Sequence, residues 1–323
     1  MKVIIDKYVP FIEGVLEPYA EVIYADPAEI NPQTVKDVDA LIVRTRTKCN
    51  ETLLKNSKVR FVATATIGYD HIDATYCEQQ GIVWQNAAGC NATAVKQYVG
   101  AAIQHLAKHY HMDLTTKTLG IVGVGHVGKL VEQMAREWGM KLLCCDPPRA
   151  RKEGNNAFVS LQEVAKHADI ITFHTPLQKQ GEDKTYHICD ETFLSLLKKD
   201  ACIINAARGG IIDETALLTT HFPQRTIIDC WEGEPKLNLN LLDKVLIGTF
   251  HIAGYSLLGK VNATTQSVQG LARCFAIKDL YEWKAPLPDG YDPNAYYDIL
   301  ADDKALRATP HLFESMRDNY KLR

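Results

Sequence analysis

Short apolar, β-branched runs alternate with helical patterns along almost the whole chain. The first series predicts strands at 3–6, 21–24, 40–44, 61–66 and 82–85. A second predicts strands at 118–124, 141–146, 169–174, 201–206, 226–229 and 245–248. Continuous apolar runs of this kind suit parallel strands covered on both faces, and the alternation with helices predicts an α/β, doubly wound fold. Two series predict two parallel sheets and hence two domains. The length of 323 residues agrees, because one hydrophobic core stops growing at about 250–300 residues. The helical stretch 92–109 lies between the series and reads as a bridge. After His251 the pattern turns helical again over 257–280, followed by the stretch APLPDGYDPNAYY and a charged tail. A last long helix that returns to the first sheet makes that domain discontinuous. The expected division is 1–95 with 256–280, then 96–255, then a helical C-terminal extension over 281–323.

Composition narrows the class. With 46% hydrophobic and 23% charged residues and a net charge of −3, the chain is an ordinary globular protein. It lacks the basic excess of a nucleic-acid binder, so no nucleic-acid partner is expected. No apolar run approaches the ~18 residues of a membrane span, and the opening MKVIID reads as a buried strand rather than a signal segment. A cytoplasmic protein without a membrane partner is expected. The nine scattered cysteines, odd in number and without a C-x-x-C, read as buried free thiols of a reducing compartment.

The segment TLGIVGVGHVG carries Gly123-x-Gly125-x-x-Gly128 directly after a strand, with His126 and Val127 opening a helix. The next apolar run, KLLCC, ends in Asp146. Glycines allow a tight turn and close approach of the backbone to a pyrophosphate at the positive helix N-terminus. A carboxylate closing the second strand takes the adenosine ribose hydroxyls and repels a 2′-phosphate, so NAD is expected rather than NADP. A ligand-free turn or an S-adenosylmethionine site would share part of this pattern.

Four later strand ends carry polar residues: FHTPL, INAARGG, IIDCWEGEP and GTFHIAGY. Singly, Arg208 reads more readily as a surface ion-pair residue, Glu234 as a solvated acid and His251 as a satisfied histidine. Behind a nucleotide fingerprint they form the set that oxidation of a 2-hydroxy acid requires. A guanidinium holds the carboxylate and polarises the C2 oxygen. An imidazole takes the hydroxyl proton, and a carboxylate behind it fixes its tautomer.

With ARGG, D-x-x-E-G-E-P and H-I-A-G-Y, the chain resembles the D-isomer-specific 2-hydroxyacid dehydrogenases. The resemblance implies a Rossmann-type NAD domain and a flavodoxin-like substrate domain, with Arg208, Glu234 and His251 catalytic. The proline after Glu234 selects it over Glu232. The resemblance also places Thr175, Ala206, Ala207, Arg208, Asp229 and Gly254 around NAD. The further segments RTRTKCN, TATIGYDH, AAGCNATAV, CDPPRA and HIAGYSLLGK resemble the branch that oxidises 4-phospho-D-erythronate in pyridoxal phosphate synthesis. In that branch the positions of Thr45, Thr66 and Tyr255 contact substrate. Arg44 and Arg46, alternating with Lys48 at a strand end, are further candidates for a small phosphorylated 2-hydroxy acid. The ending HLFESMRDNYKLR resembles an inner part of a C-terminal dimerisation module, which makes the tail a reduced form of it and a homodimer the expected assembly.

Two alternatives stay open on the residues: a dehydrogenase for an unphosphorylated acid such as glycerate or hydroxypyruvate, and a non-catalytic NAD-sensing protein. No metal is expected: of the cluster His105, His109 and His111, the i,i+4 pair could ligate zinc, but no third ligand lies at useful spacing. Cys90 has no paired base, and hydride transfer requires no nucleophile.

Overall fold

The computed structural model describes residues 1–154, 157–287, 291 and 297–322; the Pro- and Tyr-rich stretch of the sequence lies mostly outside them. The chain divides into two compact units, Met1–Asn91 with Ser256–Asn294, and Ala92–Tyr255 with Ala295–Arg323.

The first unit holds β1 (Lys2–Asp6), β2 (Glu21–Ala25), β3 (Ala40–Val43), β4 (Phe61–Thr64) and β5 (Val83–Asn86), in the order β2-β1-β3-β4-β5. All its pairings are parallel, and the order is that of flavodoxin-like sheets. The strands read as unbroken apolar runs because successive side chains enter different cores. Val3, Ile5, Ala40, Ile42, Phe61 and Ala63 pack with Val268, Leu271 and Ala272 of the helix Leu257–Cys274. Ile4, Leu41, Val43 and Val62 pack on the other side with Leu53, Leu54 and Cys77.

The second unit holds β6 (Thr118–Val122), β7 (Lys141–Cys145), β8 (Ile170–Phe173), β9 (Cys202–Asn205), β10 (Thr226–Ile228) and β11 (Ile247–Gly248), in the order β11-β10-β9-β8-β6-β7. These pairings are parallel too. Beyond β7, Val159 N–H donates to Cys144 O at 2.8 Å, one rung of a further edge. The strand order reverses between β6 and β8, the switch point where open α/β sheets bind ligands. The helix Ala92–His109, read from sequence as a bridge, lies wholly in this unit and buries Tyr98, Val99, Ala102, Ile103 and Leu106 in its core.

The tail also joins this core, through Tyr297, Ile299, Leu306 and Phe313. On the helix Ile299–Ala308, Asp303 Oδ1 accepts Gly248 N–H at 2.7 Å, and Arg307 donates to the carbonyls of Leu242 and Val245. The outer edge of β11 is thereby covered, which removes an exposed strand edge. No helix of the described residues is long and apolar enough to cross a membrane.

Candidate active site

The glycine loop follows β6, and each glycine has a separate reason to be one. Gly123 sits at φ +89°, and a Cβ there would lie 2.8 Å from the carbonyl carbon of His174. At Gly128 a Cβ would collide with the carbonyl oxygen of Gly123, so helix and strand pack closely only without one. At Gly125 a Cβ would meet nothing within 4 Å; this glycine opens onto free space and caps the helix His126–Glu137 without any side-chain hydrogen bond. The amides of His126 and Val127 therefore stand at an uncapped, partly exposed positive helix end.

Beside the loop, Thr175 Oγ1 is buried and has no hydrogen-bond partner, a cost that a bound ligand removes. Asp146 closes β7. Its Oδ2 accepts Val124 N–H at 2.8 Å and its Oδ1 accepts Arg149 N–H at 3.1 Å. A carboxylate has about four acceptor positions, so capacity for ribose hydroxyls remains. Cradle, orphaned hydroxyl and ribose acid all fit NAD.

His174, at the end of β8, is half-buried as a residue, and the enclosure of its ring pushes its pKa down to about 3. The unfolded chain therefore takes up this proton first. The stabilisation is complete above the ordinary histidine value near 6.5 and is lost as pH falls from there toward 3. At pH 5 the loss amounts to about 2 kcal/mol. Chemical denaturation at pH 7.5 and 5.0, in wild type and His174→Gln, checks this; an equal loss in the variant would exclude His174 as its source.

The ends of β10 and β11 bring two predicted residues into contact. His251 Nδ1 lies 2.7 Å from Glu234 Oε2, and Glu234 Oε1 accepts Trp231 N–H at 2.8 Å. An ionised carboxylate only accepts, so Nδ1 carries the proton and Nε2 keeps its lone pair. Glu232 points elsewhere, to Tyr186 Oη at 2.9 Å and His187 Nε2 at 2.8 Å. His251 itself adopts φ +59°, a backbone state that costs energy for a side-chain-bearing residue.

Asp229 holds that conformation. Fully buried, it accepts Ile252 N–H and Thr249 Oγ1–H on Oδ1 (2.9 and 2.6 Å) and Ala253 N–H on Oδ2 (2.9 Å). Because Thr249 donates to Asp229, the Tyr98 hydroxyl donates to Thr249, at 2.7 Å. Sequence reasoning singled out Asp229 as a cofactor neighbour and missed this anchoring duty.

Arg208 follows β9, with Nη1 on Ala207 O at 2.8 Å. Asn205 shapes its turn: Nδ2 donates to Arg208 O at 2.9 Å and Oδ1 accepts Ala207 N–H at 3.2 Å. Between the polar strand ends lies Cys230. Burial first, then Asp229 and Glu234, push its thiol well above its ordinary pKa, while Arg208 and Arg317 oppose that rise. Ligand-type atoms of Cys230, Glu234 and His251 lie within 4.8 Å of one another. The thiol held protonated and the Nδ1 already engaged by Glu234 are poor ligands for a metal ion.

Among the remaining candidates, Gly254 and Tyr255 directly follow the His251 loop, half-buried. In the first unit, β3 ends at Val43, the chain turns with Thr47 N–H on Arg44 O at 3.2 Å, and Cys49 then pairs with Ile72. Arg44, Arg46 and Lys48 thus lie in a turn, and the expected strand alternation does not govern them. Arg44 is half-buried with Nη1 on Tyr8 O at 3.3 Å, and Thr45 is exposed. Thr66 bonds Thr64 Oγ1 at 2.7 Å and donates to Gly68 O at 2.9 Å. All nine cysteines are free and all but Cys274 buried; burial pushes Cys90 up to about 12, which removes it as a nucleophile.

A family model described as the D-isomer specific 2-hydroxyacid dehydrogenase, NAD binding domain, matches residues 87–253. The chain is 46% identical to an erythronate-4-phosphate dehydrogenase of Bacteroides fragilis, over 100% of this chain and 97% of that one. It is 40% identical to the Escherichia coli protein of the same name, over 99% and 91%. Among solved structures, it is similar to D-lactate dehydrogenase from Aquifex aeolicus complexed with NAD and lactic acid: TM-score 0.71, 26% identity, 87% of this chain and 97% of that one. NAD-bound 3-phosphoglycerate dehydrogenase of Entamoeba histolytica gives TM-score 0.70 and 25% identity, over 88% and 98%.

Proposed function

The chain belongs to the D-isomer-specific 2-hydroxyacid dehydrogenases and is an NAD-dependent oxidoreductase; from that premise we propose that it oxidises 4-phospho-D-erythronate at C2 to the 2-oxo acid. His251 is the general base, Glu234 orients it, and Arg208 binds the substrate carboxylate. One observation carries the assignment: the 2.7 Å bond from His251 Nδ1 to Glu234, which leaves Nε2 as the proton acceptor. The full-length identity to enzymes named for erythronate 4-phosphate supports the phosphorylated substrate.

The Gly123–Gly128 loop, Asp146 and Thr175 would hold NAD, which would supply the two-electron acceptor. His251 Nε2 takes the hydroxyl proton as C2 gives up its hydride. The Glu234 carboxylate stabilises the resulting imidazolium, and its bond to Trp231 N–H keeps it in place. Arg208 pairs with the substrate carboxylate through two parallel N–H bonds and polarises the C2 oxygen. In the reverse direction His251 is the acid. We assign Thr45, Thr66 and Tyr255 to substrate and Arg44 and Arg46 to its phosphate. The enzyme is proposed to act as a cytoplasmic homodimer in pyridoxal phosphate synthesis.

A substrate panel tests this. The kcat/KM for 4-phospho-D-erythronate is expected to exceed that for D-erythronate or D-glycerate by about 10²-fold or more, since a site built for a charged group rejects analogues lacking it. Arg44→Ala is expected to erode that ratio. Equal rates with and without the phosphate would transfer the assignment to an unphosphorylated acid. Running the panel with and without an added 2-oxo acid acceptor tells whether NAD exchanges each turnover.

A further inference from the structure

The tail does more than cover the sheet edge. Tyr320 meets Phe250 edge-on at 5.7 Å and Tyr255 at 6.1 Å. These two aromatics bracket His251 in the chain. On the helix Phe313–Asp318, the Arg317 guanidinium lies 5.7 Å from the ring centres of both Tyr255 and Phe313, within cation–π range. Its Nη1 donates to Glu314 Oε1 at 3.0 Å, but its Nε is buried without a partner. The side chain is 19% exposed. An enclosed guanidinium so incompletely paired is costly, and charges inside the unit must offset that cost. Its electrostatic partners are Tyr255, Glu314 and Glu234.

We propose that Arg317 is a positioning residue of the catalytic group, stacking Tyr255 in place and setting the field at Glu234 and His251. This rests on the reading of Glu234 and His251 as the working pair. A nearby cation favours the ionised carboxylate and disfavours the imidazolium. Arg317, whose charge is felt at Glu234, therefore opposes proton uptake by the pair. The other groups around the pair are Asp229, Cys230 and Glu232 after β10, Arg208 after β9, buried Glu214 on the helix Glu214–Leu218, Tyr255 on the catalytic loop, and Glu314. Burial pushes the Glu214 carboxyl up.

The test is the pH profile of kcat/KM for hydroxy-acid oxidation in wild type, Arg317→Met and Arg317→Lys, with NAD affinity measured alongside. In Arg317→Met the acidic limb is expected to move to higher pH by about half a unit or more, as both partners gain affinity for protons. Its kcat is expected to fall about tenfold with NAD affinity kept, the signature of displaced rather than missing groups. Arg317→Lys keeps the charge and loses the planar stack, so the limb returns while kcat stays reduced. An unmoved limb in Arg317→Met with kcat within about twofold of wild type overturns the proposal. Should Arg317→Met fail to fold, a wild-type kcat in Arg317→Lys overturns it equally. A wild type inactive on every 2-hydroxy acid would instead overturn the function on which it rests.

Discussion

His251→Ala is expected to lower turnover by about 10²–10⁴-fold, the usual contribution of a positioned general base, while NAD binds with near wild-type affinity. The loop should survive the change. Its conformation is held not by the imidazole but by Asp229, which binds the amides of Ile252 and Ala253. The glycine cradle lies after a different strand, β6, and makes no use of the histidine. The variant thus separates chemistry from binding, and it needs only steady-state rates and an NAD titration. Turnover within a few-fold of wild type would remove His251 from its assigned role. Loss of NAD affinity in step with rate would mean that the loop, not the base, had been damaged.

The second large effect is expected at a residue that touches no substrate. A Cβ on Gly209 would be driven into the carbonyl oxygen of Trp231, a backbone atom with little room to move. Gly209 follows Arg208, and Trp231 N–H holds Glu234. Separating the two strands at that point shifts the guanidinium and the carboxylate together. Gly209→Ala is therefore expected to lose about 10²-fold or more in kcat/KM, the effect of misplacing reacting groups by roughly 1 Å. It should also lower the thermal midpoint, as overpacking costs about 1–3 kcal/mol. Wild-type activity in a folded variant would show that this contact relaxes without moving the site.

Both sheets were legible in the sequence because a strand covered on two faces needs apolar residues at every position. The ends were less so. Runs such as 118–124 and 201–206 stay apolar after the ladder stops at Val122 and Asn205. Small apolar residues there serve the turn toward the cofactor rather than the sheet. The choice of Glu234 came from the proline beside it; its physical basis is that Glu232 is engaged by Tyr186 and His187. Asp229 was visible as a polar strand end, but the amides it anchors lie more than twenty positions later, beyond local pattern. Arg317 was invisible for the same reason. In a charged, amphipathic tail it reads as a solvated residue, and only tertiary packing encloses it. The alternation of Arg44, Arg46 and Lys48 suggested a shared strand face, but the strand ends at Val43 and the chain turns at Arg44–Thr47.

The first unit is closed by a helix that the ribosome makes late. One face of its sheet, with Val3, Ile5, Ala40, Ile42 and Phe61, packs on Val268, Leu271 and Ala272. Residues 92–255 are synthesised between the two. At about 5–20 residues per second that interval lasts roughly 10–30 s. Through it the apolar flank of that sheet waits for its own cover, so completion of this unit follows translation of the other.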